Sequence, residues 1–77
     1  MGRVKMLEEH LNKLFGNKYL GHTVLGRSQD REIVFYFSDK TKTKDICLFL
    51  EELSKKLSEI EEELGYVKEI MIVRVEV

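Results

Sequence analysis

Residues 43–65 read TKDICLFLEELSKKLSEIEEELG, and the fold turns on this stretch. Ile46, Leu50, Leu53, Leu57, Ile60 and Leu64 follow one another at alternating steps of four and three. That spacing places all six on one stripe of an α-helix, so the segment predicts a long amphipathic helix that needs an apolar layer to lie on. On its outer side Glu51 precedes Lys55 and Glu52 precedes Lys56 by four residues, the order that supports a helix. Thr41 or Thr43 is the expected N-terminal cap, and Asp45 falls in the first turn, where the helix dipole favours negative charge. Gly65 is the expected stop, with Tyr66 folding back onto the last turn. A helix of about 21 residues spans ~32 Å against ~26 Å for an eight-residue strand, so its last turns are expected to overhang the sheet. Those turns carry Glu59, Glu61, Glu62 and Glu63, which read as a solvated face.

The flanking segments supply the layer. Arg3 to Phe15 predicts a first helix with Val4, Leu7, Leu11 and Leu14 on its apolar face, closed by Gly16. Lys18 to Arg27 predicts a strand weakened by Gly21 and Gly26, and Ser28-Gln29-Asp30 a turn. Arg31 to Ser38 is the clearer strand, with Ile33, Phe35 and Phe37 pointing one way and Val34 and Tyr36 the other. These two strands are expected to form an antiparallel hairpin. Tyr66 to Val77 predicts a third strand. Met71, Val73, Val75 and Val77 share one face, yet Ile70 and Ile72 make the other apolar too, the pattern of a strand central in its sheet or buried on both sides. A crossover through the long helix should return the third strand parallel to the second.

The chain has 77 residues, enough for one domain near the lower size limit for a core without staples. A 35% charged fraction argues for a well-solvated surface, and a net charge of −1 gives no whole-chain attraction to nucleic acid or acidic membranes. One cysteine excludes an internal disulfide. Cys47, among Ile46, Leu48 and Phe49, is expected to be buried as a small apolar side chain in a reducing, cytoplasmic setting. No stretch approaches the ~20 apolar residues of a membrane span, and the N-terminus is expected to carry no signal peptide.

Chemistry is sparse. His10 and His22 have no Cys, His or Asp nearby at ligand spacing, so neither metal nor cofactor is expected. His10 should be solvated, and His22 could stack opposite Tyr36 if the hairpin loop has three residues. Adjacent carboxylates such as Glu51-Glu52 splay around a helix, no phosphate loop is present, and no serine has an evident base, so catalysis is not expected. With both helices on one side of three strands, the other side is left uncovered. Val34 and Tyr36, with Ile70 and Ile72 if the third strand turns them outward, are the expected interface of a homodimer formed through the open sheet face or the long helix. A larger protein partner would serve equally. Strand one adds Leu20 and Val24, or Tyr19 and Leu25, according to its register. The connector offers an alternative: Lys40, Lys42, Thr43 and Lys44 lie at a helix N-terminus, where phosphate or a nucleic-acid backbone could bind with help from Arg3, Lys5 or Lys18.

The expected fold is α+β, a two-layer sandwich of order α-β-β-α-β with two helices on one face of a three-stranded mixed sheet. That order resembles the ferredoxin-like and type II KH arrangements, although the KH family's GxxG has no counterpart between Ile46 and Leu64. It is also similar to the cytoplasmic C-terminal domain of cation-diffusion-facilitator transporters, a homodimerising module. Gly21-His22 sits where that family often has a histidine, while its later ligand positions hold no His or Asp here. The first resemblance implies nucleic-acid binding, the second a metal-responsive dimer. The expectation placed first is a small non-catalytic interaction or regulatory module.

Overall fold

The computed structural model describes residues 2–77, with side chains from Lys5 onward, so the sequence readings on Arg3 and Val4 lie outside the described side chains. Helix α1 (Gly2–Phe15) leads through a short 3-10 turn (Gly16–Lys18) into β1 (Tyr19–Leu25). Then come β2 (Arg31–Ser38), helix α2 (Thr43–Leu64) and β3 (Val67–Val75). The order is α-β-β-α-β, with both helices packed on one face of a three-stranded mixed sheet. The strands lie in the order β1-β2-β3, with β1 antiparallel and β3 parallel to β2.

The centre of the sheet is therefore β2, and β3 is an edge, contrary to the position its two-faced apolar pattern suggested. The hairpin holds β1 against one side of β2, and the crossover through α2 brings β3 to the other. Both faces of β3 are apolar because one meets the helices and the other continues the uncovered side of the sheet.

Alternation on β2 sends Ile33, Phe35 and Phe37 toward the helices, where all three are buried, Phe37 completely. Register places Val24, His22 and Tyr19 beside them on β1, and Ile70, Ile72 and Arg74 on β3. From the helix layer Phe49 stands over this row, its ring centroid 5.2 Å from that of Phe35 and 6.1 Å from that of Phe37. Phe15, at the end of α1, approaches Phe37 edge-on at 4.9 Å. Such tilted and edge-on pairs add about 0.5–1.5 kcal/mol each beyond the area they bury.

The stripe of α2 is centred a little differently from the 4-3 spacing. Ile46, Phe49, Leu53, Ile60 and Leu64 are buried, while Leu50 and Leu57 are only partly so. Turning Phe49 inward rotates Cys47 and Leu48 outward, so Cys47 is exposed rather than buried. On α1, Leu7 and Leu11 enter the core, but Leu14 is 56% exposed and Phe15 takes the inward place at the helix end.

Both ends of α2 are tied by contacts that the local sequence does not announce. At its start Lys42 holds the capping position, with its carbonyl accepting from the amides of Asp45 and Ile46. Neither threonine caps the helix: Thr41 is buried, and the hydroxyl of Thr43 accepts from Arg74 on β3 at 2.8 Å. At its end Arg31 donates through Nε to the carbonyl of Leu64 at 3.0 Å, a cation at the negative pole of the helix. The carboxylate of Glu61 turns back to accept from the amide of Val67 at 2.8 Å. With Ile60 and Leu64 buried as well, the last turns lie against the sheet instead of overhanging it.

Gly65 closes α2 with φ of 87°, and the next amide, that of Tyr66, donates to the carbonyl of Ser28 in the hairpin loop at 2.8 Å. The side chain of Tyr66 stays exposed and does not fold back on the helix. A Cβ at position 65 would stand 2.1 Å from that same carbonyl oxygen. Only glycine satisfies both the left-handed backbone and the close approach. Gly65→Ala is expected to destabilise the domain by more than about 1 kcal/mol, read as a lower urea midpoint at unchanged slope.

Candidate interaction surface

The side of the sheet away from the helices is built in rows. Gly21 on β1 lies beside Tyr36 on β2 and Val73 on β3, and the next row is Thr23, Val34 and Met71. Leu25 and Glu32 follow, with Glu69 next to Glu32, while Val75 pairs with Ser38 at the opposite end. Tyr36, Val34, Met71, Val73 and Val75 thus form a continuous apolar field with one acidic corner. Leu25 is 48% exposed and Met71 42%, while Val34, between Thr23 and Met71 in its row, is only 6% exposed and offers little surface of its own.

Val34 and Tyr36 lie together on this face, as the alternation of β2 requires. Ile70 and Ile72 do not join them, because they point to the helix side and pack against the core. Their places on the open face are taken by Met71 and Val73. Strand β1 contributes Leu25 here and Val24 to the core. A register break between Tyr19 and Gly21 lets Tyr19 be buried while its neighbour Leu20 is exposed. Glycine at position 21 leaves open space on the β1 side of Tyr36, since a Cβ built there would meet nothing within 4 Å.

Neither histidine lies where the sequence suggested. His22 pairs with Phe35, not Tyr36, and sits on the helix side, its Nδ1 3.3 Å from the hydroxyl of Tyr19 and 3.5 Å from a carboxylate oxygen of Glu8 on α1. A hairpin loop of five residues, 26–30, sets this register instead of three. His10 is not simply solvated: its Nε2 lies 2.9 Å from a carboxylate oxygen of Glu52, bridging the two helices. Beyond this bridge Leu14, Phe15, Leu48 and Phe49 line a groove of about 430 Å³ between the helices, rimmed by Asp45, Glu51, Glu52 and Lys55.

The lysine connector is exposed at Lys40, Lys42 and Lys44, as is Thr43. Strand register puts Lys18 at the same end of the sheet, whereas Lys5 lies toward the far end of α1. The group that sequence reasoning missed is Arg74, whose guanidinium donates to the carbonyl of Thr41 and the hydroxyl of Thr43. Its signal was a basic residue on the inward parity of β3, directly after Ile70 and Ile72.

Comparison with known proteins returns no match. No family model fits the chain, and neither the curated proteins nor the solved structures include one significantly similar to it. Among the described residues no three His, Cys, Asp or Glu side chains converge on a metal position, and no helix is long and apolar enough to cross a membrane.

Two titrations mark the seams of α1. The hydrogen bond from His10 holds the Glu52 carboxyl below its ordinary value, assisted by the charges of Lys56 and Lys55. A depressed carboxylate contributes stability above its unfolded value of 4.5, and that contribution is lost as pH falls through the lower folded value. Burial, with the nearby Glu8 charge, pushes the Tyr19 phenol up from 10.0, so its contribution is complete below pH 10.0 and is lost as pH rises beyond it. Chemical denaturation at stepped pH should show the difference between wild type and Glu52→Ala shrinking on the acid side. The alkaline loss of stability should be smaller in Tyr19→Phe than in wild type.

Proposed function

We propose that this chain is a small non-catalytic association module whose helix-free sheet face receives a second copy of itself. The observation that supports this reading most directly is the apolar field of Tyr36, Val34, Met71, Val73 and Val75, which neither helix covers. An apolar surface of this kind on a small domain marks a contact site. A second copy is the partner taken here because Tyr36 and the side-chain-free position of Gly21 stand side by side in one row of this face. In a twofold contact the same patch serves both copies, so each surface must be complementary to itself. A cytoplasmic, reducing setting suits the exposed thiol of Cys47.

The field measures roughly 14 Å by 26 Å from strand spacing and rise. That is less than the ~800 Å² each partner contributes to a stable interface, so the face alone should give a weak, concentration-dependent dimer. Light scattering across a wide concentration range should show mass rising toward that of two chains. Tyr36→Lys should hold the chain monomeric with unchanged circular dichroism, and a wild type that stays monomeric throughout would remove the reading.

A second reading, binding of a nucleic-acid backbone or another polyanion, has one observation in its favour. Arg74 brings a fourth cation to the start of α2, beside Lys40, Lys42 and Lys44, where the helix dipole already disfavours positive charge. An anion there would relieve both. Affinity for single-stranded RNA should then fall steeply with salt and drop when the three lysines become glutamine. Equal affinity in that variant would dismiss it.

A further inference from the structure

The two helices are joined at their middles by the bond between His10 and Glu52, at 2.9 Å, and diverge beyond it. The last turn of α1 then meets the N-terminal part of α2 at depth, where the rings of Phe15 and Phe49 stand edge-on with centroids 6.3 Å apart. Over that floor opens the groove of about 430 Å³. Leu14 from α1 and Leu48 from α2 line it and remain 56% and 55% exposed. Scattered exposed leucines need no explanation, but two on facing helices across one aromatic floor form a patch.

The rim decides what such a patch can receive. Asp45, Glu51 and Glu52 set three carboxylates around it against the single ammonium of Lys55, in a chain whose total charge is only −1. A twofold contact through the groove would press this acidic rim against its own copy, which disfavours a second chain as the occupant. Nucleic acid and anionic membranes are repelled for the same reason. The α2 positions along the groove, Asp45, Leu48, Glu52 and Lys55, recur at steps of three and four, so it follows the helix axis for about 15 Å. A trough of that length takes about three turns of an amphipathic helix, anchored by apolar side chains at the same spacing.

We propose that this groove receives a basic amphipathic helix from another protein, its apolar stripe on Leu14 and Leu48 and its lysines or arginines against Asp45, Glu51 and Glu52. The groove lies on the helix side of the sheet, so it stays open when the face bearing Tyr36 is occupied. The two contacts hold or fail separately. With a short trough and charges at the surface, affinity is modest and falls as salt rises.

Two synthetic peptides of about 15 residues test this on the full chain. Both carry leucine at i, i+3, i+4 and i+7, and they differ only in having lysine or glutamate on the flanks of that stripe. The lysine peptide should bind and shift the amide resonances of Leu14 and Leu48, with the glutamate peptide at least about tenfold weaker. Leu48→Ser should weaken the lysine peptide about tenfold, and Glu51→Lys should narrow its advantage over the glutamate peptide. Both positions are exposed, so circular dichroism and the urea midpoint should stay as in wild type. Tyr36→Lys should leave peptide binding unchanged. Equal binding of the two peptides, or no binding at millimolar concentration, would overturn the proposal. So would binding that is lost in Tyr36→Lys and kept in Leu48→Ser. Wild-type self-association that disappears in Leu48→Ser would overturn it as well, by seating a second copy in the groove.

Discussion

The seating of Phe49 on Phe35 and Phe37 is the contact on which the remaining architecture depends, because a sheet only three strands wide offers little else to bury. Each strand sends few side chains inward, and β2 alone supplies three that are fully covered. Phe49 closes over two of them, and Phe15 reaches the same cluster from α1. Removing a buried phenylalanine typically costs 3–5 kcal/mol, a large share of the ~5–15 kcal/mol that holds a native domain together. Both helices are committed to this one side. The opposite face follows as a consequence: β2 fills its alternate positions with the sheet-favouring Val34 and Tyr36, and neither helix covers them.

Polar contacts fix where α2 lies once the rings have set its distance. Arg31 and Glu61 hold its end against the start of β3, Arg74 ties its beginning to the far end of the same strand, and His10 links its middle to α1. These are unequal in character. Arg31 complements the helix dipole, whereas Arg74 sits at the positive pole and opposes it. The exposed bonds contribute little each, but together they set the angle of the helix across the sheet, which ring packing alone leaves loose.

Much of this was legible in the chain. The stripe from Ile46 to Leu64, the alternation of Ile33, Phe35 and Phe37, and the terminal Gly65 are local patterns, and each produced the element it announced. What escaped depended on partners distant in sequence. Phe49 falls one residue outside the 4-3 spacing, and only the aromatic pair on β2 makes it the centre of the stripe and turns Cys47 to solvent. Apolar residues on both sides of β3 fit a central strand or an edge strand with an open face, and periodicity does not distinguish them. The inward turn of Ile70 and Ile72 needed the register with Ile33 and Phe35, and His22 was displaced by a bulge and a loop length that no short window reveals. Of the candidate face, Val34 and Tyr36 were readable, while Met71, Val73 and the open position at Gly21 were not.

The touch between Gly65 and Ser28 gives the exposed hairpin loop a duty that its solvent exposure conceals. Segments of this sort are ordinarily the first choice for grafting an epitope or opening the chain to new termini. Here the loop is the abutment on which the end of α2 rests, so lengthening it would shift the carbonyl that receives Tyr66 and loosen the path into β3. The connector at 39–42 is bounded in the same way by Asp39 and Thr41. A chain this short has hardly any idle surface, and even its loops carry structural contacts.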